Sequence, residues 1–227
     1  MVSNTGRVIA VGDIHGCLAA LDALLGVVTL EPGDLLVSLG DAIDRGPDSR
    51  GVIDRLLELK RTGFLVPILG NHDQMLLEYL DRRPTGVWLT HGGQETLESY
   101  GGEVDPEHGE FLRSWADCYE TEEHFFAHGN FDPELPLDRQ PWQELRWESL
   151  VARVPGPHVS GKTAVLGHTA NKRGEVINLG HLVCIDTWCF GGGWLTAFEP
   201  ATGRVWQARQ TGETRETELP RRRASIR

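Results

Sequence analysis

Five short blocks of the sequence set a glycine beside an aspartate, an asparagine or a histidine. They are Gly12-Asp13-Ile14-His15-Gly16, Gly40-Asp41-Ala42-Ile43-Asp44-Arg45-Gly46, Gly70-Asn71-His72-Asp73, His128-Gly129 and Gly167-His168. Carboxylate, amide and imidazole groups of this kind bind manganese, iron or zinc, and no thiolate stands among them. The blocks therefore offer six candidate metal ligands: Asp13, His15, Asp41, Asn71, His128 and His168.

Six ligands are more than one ion with open coordination positions needs. Two divalent ions about 3.5–4 Å apart, sharing one bridging carboxylate, account for the set more economically. Such a pair lowers the pKa of a bridging water, so that hydroxide forms at neutral pH, and it holds phosphoryl oxygens for in-line attack. We expect the two ions to be manganese, with iron or zinc as alternatives, and the reaction to be hydrolysis of a phosphate ester.

The second and third blocks also carry residues suited to proton transfer and phosphate binding. His72 stands next to the candidate ligand Asn71 and is the natural general acid for the leaving group. Asp44 can accept a hydrogen bond from the His72 ring and favour the imidazolium. Arg45 offers a planar, two-pronged donor for phosphate oxygens.

Strand and helix patterns alternate over the first third of the chain and end at these blocks. Apolar runs at 7–11, 34–39 and 64–69 predict strands, and residues 18–28 and 49–60 have helical spacing. This β-α-β-α-β order predicts a parallel sheet covered by helices. Because the carboxyl ends of parallel strands lie along one edge, the side chains that follow them should converge in one crevice.

The rest of the chain divides into a helical region, a second run of strands and a polar end. Residues 74–123 read as a helical cap beside the sheet, within a single domain over residues 1–210. Further strands are predicted at 124–127, 163–166, 182–185, 194–198 and 205–208. Residues 211–227 are polar and basic, which predicts a disordered tail.

Composition limits the function classes. The 227 residues have a formal net charge of −11, which argues against a nucleic-acid partner because an acidic surface repels phosphate backbones. A phosphorylated substrate remains compatible, since bound metal ions reverse the local field. The sequence has no signal-peptide pattern, no apolar run of membrane-spanning length and no Cys-x-x-Cys pair, so we expect a cytoplasmic protein without a membrane partner.

The same blocks resemble those of the PPP-type metallophosphatases, the serine/threonine phosphoprotein phosphatases, in the bacterial and phage branch that includes lambda phosphatase. Two further stretches carry the likeness, Trp88-Leu89…Gly92-Gly93…Thr96-Leu97…Ser99-Tyr100-Gly101 and Ile185-Asp186-Thr187…Gly192-Gly193. The resemblance implies an α/β fold, the four-layer α/β/β/α calcineurin-like metallophosphoesterase sandwich.

The resemblance also implies a role for each matching residue. Asp13, His15 and Asp41 would hold the first metal. Asp41, Asn71, His128 and His168 would hold the second metal, with Asp41 bridging. His72 and Asp44 match the acid pair, and Arg45 matches the phosphate-binding arginine.

Two departures from the family pattern bear on the substrate. The second phosphate-binding arginine usually lies in a Trp-x-Arg context, whereas here Arg146 precedes Trp147 and is our candidate, with Arg153 following later. Asp73 stands where protein phosphatases commonly have glutamate and related diadenosine tetraphosphate hydrolases often have aspartate.

Those diadenosine tetraphosphate hydrolases typically lack the acidic residue before the arginine, whereas this chain keeps Asp44-Arg45. The leading function is therefore a phosphoprotein phosphatase acting on phosphoserine and phosphothreonine, with phosphotyrosine as a lesser candidate. Hydrolysis of a dinucleoside polyphosphate or another small phosphorylated metabolite is the alternative. A catalytically silent phosphate-binding module is a third reading, but such a relic would be expected to lack a ligand or His72, and all are present.

Overall fold

The computed structural model describes residues 6–84 and 86–220, and most of its strands lie where the sequence predicts them. The strands are β1 (Val8–Val11), β2 (Leu35–Ser38), β3 (Leu65–Pro67), β4 (Cys118–Glu120), β5 (His124–Ala127), β6 (Thr163–Leu166), β7 (Ile177–Asn178), β8 (Leu182–Cys184), β9 (Leu195–Glu199), β10 (Arg204–Ala208) and β11 (Thr214–Glu218). The helices are α1 (Leu18–Val28), α2 (Ser49–Arg61), α3 (Asn71–Leu80), α4 (Gly86–Trp88), α5 (Gln94–Ser99), α6 (Pro106–Arg113) and α7 (Trp142–Trp147). The segment Leu89–Gly93 joins α4 to α5 through a kink at His91 and Gly92, whose backbone angles are not helical.

These strands form two sheets. The first sheet has the order β11-β10-β9-β1-β2-β3, and the second has the order β4-β5-β6-β8-β7. In the first sheet β1, β2 and β3 are parallel, and in the second β5, β6 and β8 are parallel. In each sheet, therefore, the carboxyl ends of the parallel strands lie along one edge. The β-α-β-α-β pattern predicts this arrangement for the first sheet.

The two sheets pack face to face, and helices cover their outer faces. Val37 and Phe198 of the first sheet and Phe126 and Val165 of the second belong to one buried cluster between the sheets. The opposite face of the first sheet packs against apolar residues of α1 and α2, and that of the second packs against Leu145 of α7. This arrangement confirms the four-layer α/β/β/α sandwich.

Local sequence explains the helix that covers the first sheet. The Asp48 side chain accepts the Gly51 N–H at 2.8 Å and caps the start of α2. Val52, Ile53 and Leu56 are buried, which is the spacing of one helical face. None of the helices in the two described ranges is long and apolar enough to cross a membrane.

Two expectations for the outer segments need correction. The helices α3 to α6 lie in the region expected to be a helical cap, but Cys118–Glu120 forms β4, an antiparallel edge strand of the second sheet. Within the expected tail, Thr214–Glu218 forms β11, paired with β10 along its whole length. All five β11 side chains are exposed. This edge strand therefore lacks the alternation of apolar and polar residues by which sequence analysis detects a strand. Residues 221–227, the rest of the tail, lie outside the described residues.

Candidate metal and active site

The blocks singled out in the sequence meet at the adjoining carboxyl ends of the two parallel strand sets. Asp41, after β2, lies at the centre: its Oδ2 is 3.6 Å from His15 Nε2 and its Oδ1 is 3.3 Å from His128 Nε2. Two groups of potential ligand atoms, each within 4.8 Å of one another, share this aspartate. The groups are His15, Asp41 and His72, and Asp41, His128 and His168.

The backbone at these blocks adopts a conformation that side chains with a Cβ seldom take. His15, Asp41, Asp44, Arg45 and His168 all have φ between 47° and 74°. Left-handed conformations cost about 1–3 kcal/mol at a residue other than glycine and occur mostly where the surrounding structure enforces them for function. The sharp turn after each strand aims the side chain into the crevice rather than along the sheet.

Glycine at position 70 keeps room for the central carboxylate. A Cβ on Gly70 would lie 2.1 Å from Asp41 Oδ1 and 2.4 Å from the Asp41 backbone nitrogen. Because backbone and carboxylate cannot both move away, this position requires glycine. The pairing of a small residue with a potential ligand in the third block thus has a steric cause.

Two of the histidines have one ring nitrogen tied to a backbone carbonyl. The carbonyl of Ile43 lies 2.8 Å from His15 Nδ1, and that of Leu39 lies 2.8 Å from His128 Nδ1. Since a carbonyl only accepts, Nδ1 carries the proton in both rings and Nε2 presents a lone pair to the crevice. A metal-binding histidine is commonly oriented by this kind of outer hydrogen bond.

The surroundings of His128 fit a bound cation. Its Nε2 faces two oxygen atoms, Asn71 Oδ1 at 3.0 Å and Asp41 Oδ1 at 3.3 Å. Three lone pairs that point at one another repel unless a positive charge lies between them. A proton on Nε2 can supply this positive charge. Burial of His128 disfavours the imidazolium, but the charge of Asp41 and its hydrogen bond to the ring have the larger effect and raise the pKa of His128 to about 10. A divalent cation would satisfy the same three atoms.

Asp13 and His168 join the two sheets at the site. The His168 N–H donates to Asp13 Oδ1 at 3.0 Å and to Oδ2 at 3.1 Å. The His168 Nε2 lies 3.1 Å from the Trp147 carbonyl, which leaves the Nδ1 lone pair for the crevice. Burial and then the charge of Asp186 raise the pKa of Asp13 well above its usual range. Dense buried negative charge of this kind also favours a bound metal ion.

The proposed acid pair forms a direct contact. His72 Nδ1 donates to Asp44 Oδ2 at 2.6 Å, and both side chains are almost completely buried. Burial raises the pKa of Asp44, although hydrogen bonds from His72, Thr96 and Trp88 oppose the shift. The His72 ring lies edge-on to His15 with centroids 4.9 Å apart, so the acid candidate is beside the candidate ligands.

The arginine candidates differ in placement. Arg45 Nη1 is 2.7 Å from His15 Nε2, and its guanidinium carbon lies 4.7 Å from the centroid of the Phe190 ring. Arg146, in contrast, pairs with Asp117, with its Nε 2.7 Å from Oδ1, and its Nη1 donates to Gln74 at 3.1 Å. The structure thus places Arg45 at the candidate metal site, while the phosphate-binding role of Arg146 stays a prediction.

Two acidic residues at the site received no role from the sequence. Asp73 accepts backbone N–H groups of Asp41, Ala42 and Gly70 at 2.7–3.0 Å. Asp73 lies three residues after the helix N-cap Gly70 and accepts its N–H, which is one half of a capping box. Because glycine has no side chain to supply the other half, the sequence lacks the full signature of this function. The aspartate at position 73 therefore shapes the turns and does not by itself indicate a nucleotide substrate.

The second of them, Asp186, follows β8 as the other ligand candidates follow their strands. Burial raises its pKa to about 6, and the charge of Asp41 acts in the same direction. Its Oδ1 accepts the N–H of Trp188 at 3.0 Å. The position directly after a parallel strand was the available signal.

The fold and the donor set point to one family. A family model for calcineurin-like phosphoesterases matches residues 6–195, and the chain belongs to this family. This match confirms the resemblance drawn from the sequence blocks.

Individual relatives fall into two groups by name. Serine/threonine-protein phosphatase 1 of Salmonella typhimurium is 44% identical over 91 residues, 40% of this chain and 40% of that protein. The matching region thus spans about two fifths of that relative's length. Bis(5'-nucleosyl)-tetraphosphatase PrpE [asymmetrical] of Halalkalibacterium halodurans is 28% identical over 222 residues, 82% of this chain and 87% of that protein. A crystal structure provisionally named a diadenosine tetraphosphatase is 28% identical, with a TM-score of 0.68 and coverage of 96% of both chains.

Proposed function

We propose that this chain is a metal-dependent phosphomonoesterase, with phosphoserine and phosphothreonine residues of proteins as its leading substrates and phosphotyrosine as a lesser candidate. The observation that carries the proposal is the sharing of Asp41 by two groups of potential ligand atoms, buried except at the half-buried His168. His72 belongs to the first of these groups and contacts Asp44 at 2.6 Å. Membership of the calcineurin-like phosphoesterases and the phosphatase named in Salmonella typhimurium support it.

The candidate ligands divide into two sets around Asp41. Asp13, His15 and Asp41 would hold one divalent ion, and Asp41, Asn71, His128 and His168 would hold the other. Oxygen and imidazole donors without thiolate suit manganese, with iron or zinc as alternatives. When bound, the ions supply Lewis acidity, which polarises phosphoryl oxygens and lowers the pKa of coordinated water.

The side chains beside these ligands supply phosphate binding and proton transfer. The Arg45 guanidinium donates hydrogen bonds to phosphate oxygens. His72, held through its Nδ1–H by Asp44, gives a proton from Nε2 to the leaving oxygen as the bond to phosphorus breaks. The buried walls keep bulk water away and strengthen these charge interactions.

Purified protein offers a direct test of this function. We expect hydrolysis of p-nitrophenyl phosphate and of a phosphoserine peptide with Mn²⁺, loss of turnover after treatment with a chelator, and recovery when Mn²⁺ returns. A catalytically silent phosphate-binding module would show no turnover under any of these conditions. Turnover that survives complete metal removal would contradict the metal-dependent mechanism.

A second candidate, hydrolysis of dinucleoside polyphosphates, is favoured by the extent of similarity. The likeness to the tetraphosphatase of Halalkalibacterium halodurans spans 82% of the chain, whereas that to the Salmonella typhimurium phosphatase spans 40%. Both reactions would use the same ligands and differ in the groove walls. Parallel measurement of kcat/KM on a phosphopeptide and on diadenosine tetraphosphate separates them, and the larger value identifies the preferred class.

A further inference from the structure

Two side chains of the helical region contact the His72–Asp44 pair, and both do so at the Asp44 carboxylate. Trp88, at the end of α4, donates its indole N–H to Asp44 Oδ2 at 2.9 Å and Oδ1 at 3.1 Å. Thr96, in α5, donates its hydroxyl to Asp44 Oδ1 at 2.7 Å. Asp44 is 0% exposed, so these contacts replace the water that would otherwise solvate it.

Three side-chain donors together satisfy both oxygens of the Asp44 carboxylate. The His72 ring donates to Oδ2, the Thr96 hydroxyl donates to Oδ1, and the Trp88 indole N–H is shared between the two. The backbone N–H of Asp44 is also held, by Ser49 and Thr96 at 3.0 Å each. With both oxygens and the backbone fixed, the carboxylate cannot rotate, and the His72 ring that depends on it keeps one orientation.

Two glycines let the segment that carries Trp88 and Thr96 approach this closely. A Cβ on Gly93 would lie 2.4 Å from the Trp88 ring, and a Cβ on Gly92 would lie 2.6 Å from the Arg45 backbone nitrogen. The backbone leaves the helical conformation at His91 and at Gly92, where φ is 113°, so the chain kinks between α4 and α5 and turns both helices toward Asp44. The Trp88…Gly92-Gly93…Thr96 pattern is therefore built to reach the turn that carries Asp44 and Arg45.

We propose that Trp88 and Thr96 are positioning residues that act through Asp44 to aim His72 at the leaving oxygen of the substrate. The role rests on the proposed phosphomonoesterase function. As the bond between phosphorus and the leaving oxygen breaks, the His72 Nε2 proton moves to that oxygen, and Asp44 holds the opposite nitrogen in place. Misalignment therefore slows substrates whose leaving group needs a proton and spares those whose leaving group departs as a stable anion.

The first experiment compares leaving groups in the variants Trp88→Phe and Thr96→Val with Mn²⁺ supplied. We expect kcat on a phosphoserine peptide to fall about 10- to 100-fold, within the range of a misplaced general acid, with KM near the wild-type value. Turnover of 2,4-dinitrophenyl phosphate should stay within about 3-fold of wild type, because its leaving group needs little proton transfer. Thr96→Ser keeps the hydroxyl and should restore peptide turnover.

Trp115→Phe is the matched control. Trp115 is a buried tryptophan of the same apolar cluster as Trp88, and its indole N–H has no hydrogen-bond partner among the described residues. The substitution removes an indole N–H without removing a contact to Asp44, so both substrates should turn over as in wild type. If Trp88→Phe does not fold, the positioning role is tested by comparing Thr96→Val, which should lose peptide turnover, with Thr96→Ser, which should keep it.

A double-mutant cycle with Asp44→Asn tests the route through the carboxylate. If Trp88 acts through Asp44, Trp88→Phe should add little further loss of kcat in the Asp44→Asn background. The same non-additivity should occur in the thermal unfolding midpoints of the metal-free protein. Additive losses, or equal losses on the peptide and the dinitrophenyl ester, overturn the positioning role. Absence of turnover in the unmodified chain would overturn the proposed function itself and this role with it.

Discussion

Three imidazoles favour the ionised form of the buried Asp41. Burial opposes its ionisation, but the electrostatic interactions with His128, His72 and His15 hold its pKa well below the usual range. The N–H of His72 donates to its Oδ1 at 3.0 Å. A buried carboxylate with imidazoles near both of its oxygens is suited to bridge two cations.

Replacing Asp41 with asparagine should lower the metal content of the protein. The amide keeps the shape of the carboxylate but removes the negative charge that two cations would share. We expect fewer than two metal equivalents per chain by elemental analysis after dialysis against Mn²⁺, compared with two for wild type. Full occupancy in the variant would exclude a bridging role for Asp41.

Replacing His72 with asparagine should separate proton donation from metal binding. The Asp13, His15, Asp41, Asn71, His128 and His168 side chains are unchanged, so we expect metal content near that of wild type. Turnover of a phosphoserine peptide should fall ~10²–10⁴-fold, the usual size of a general-acid contribution. Unchanged turnover would remove His72 from the mechanism, and parallel loss of metal would instead make it a ligand.

Replacing Asp73 with asparagine should affect stability more than substrate choice. The amide offers one acceptor oxygen to three backbone N–H groups now bonded to the carboxylate. Leaving a buried donor unpaired costs about 1–3 kcal/mol of unfolding free energy, measurable by urea denaturation. The ratio of kcat/KM on a phosphopeptide to that on diadenosine tetraphosphate should stay constant, and a large change would give Asp73 a role in specificity.

At the scale of elements, the start of β1 is tied to the turn before β2 by an ion pair. Arg7 donates its backbone N–H to Asp34 Oδ1 at 2.8 Å and its Nε–H to Oδ2 at 3.1 Å. Burial opposes ionisation of Asp34, but the bonds from Arg7 and from the Glu31 N–H prevail and lower its pKa. The contact holds the two parallel strands that carry the first two blocks.

Asp34→Asn should therefore lose stability in a pH-dependent way. A carboxyl whose folded pKa is depressed contributes stability above its unfolded pKa, about 3.9, and the contribution disappears as the pH falls through the folded pKa. We expect the variant to be about 1–2 kcal/mol less stable than wild type at pH 7 by urea unfolding. The difference should shrink below about pH 4.

A control for this comparison is Glu213→Gln, which removes the exposed pair between Glu213 and Arg209. Exposed pairs contribute about 0–1 kcal/mol, so little change is expected at any pH. A difference between wild type and Asp34→Asn that stays undiminished from pH 7 down to pH 2 would mean that the stabilisation does not depend on the charge.

The sequence predicts helices and strands well where burial of one face makes apolar residues recur at a regular spacing, and poorly where neither face is buried. The first three strands and the α1 and α2 helices follow apolar spacing, and the structure confirms them. The strand β11 has five exposed polar side chains, and β7 has two residues. Such strands are stabilised by pairing with their neighbours, which no pattern within the segment records.

At the scale of the whole molecule, the site exists only where the two sheets meet. His128 and His168 follow strands of the second sheet, while Asp13 and Asp41 follow strands of the first. The bonds from His168 N–H to Asp13 connect residues that are 155 positions apart in the chain. Packing between the sheets therefore sets the spacing of the candidate ligands.

This dependence explains which parts of the site the sequence could predict. The ligand candidates were recognisable because each block places a metal-binding residue type at a strand end. The contacts of Trp88 and Thr96 with Asp44, and the pairing of Arg146 with Asp117, depend on how the helical region and α7 pack against the sheets. Spacing along the chain does not encode such packing.

Anomalous diffraction from crystals grown with Mn²⁺ tests the central claim most directly. The account predicts two manganese peaks about 3.5–4 Å apart, both in contact with the Asp41 carboxylate, one beside His15 and the other beside His128. A single peak away from Asp41, or no peak among these side chains at saturating Mn²⁺, would contradict it.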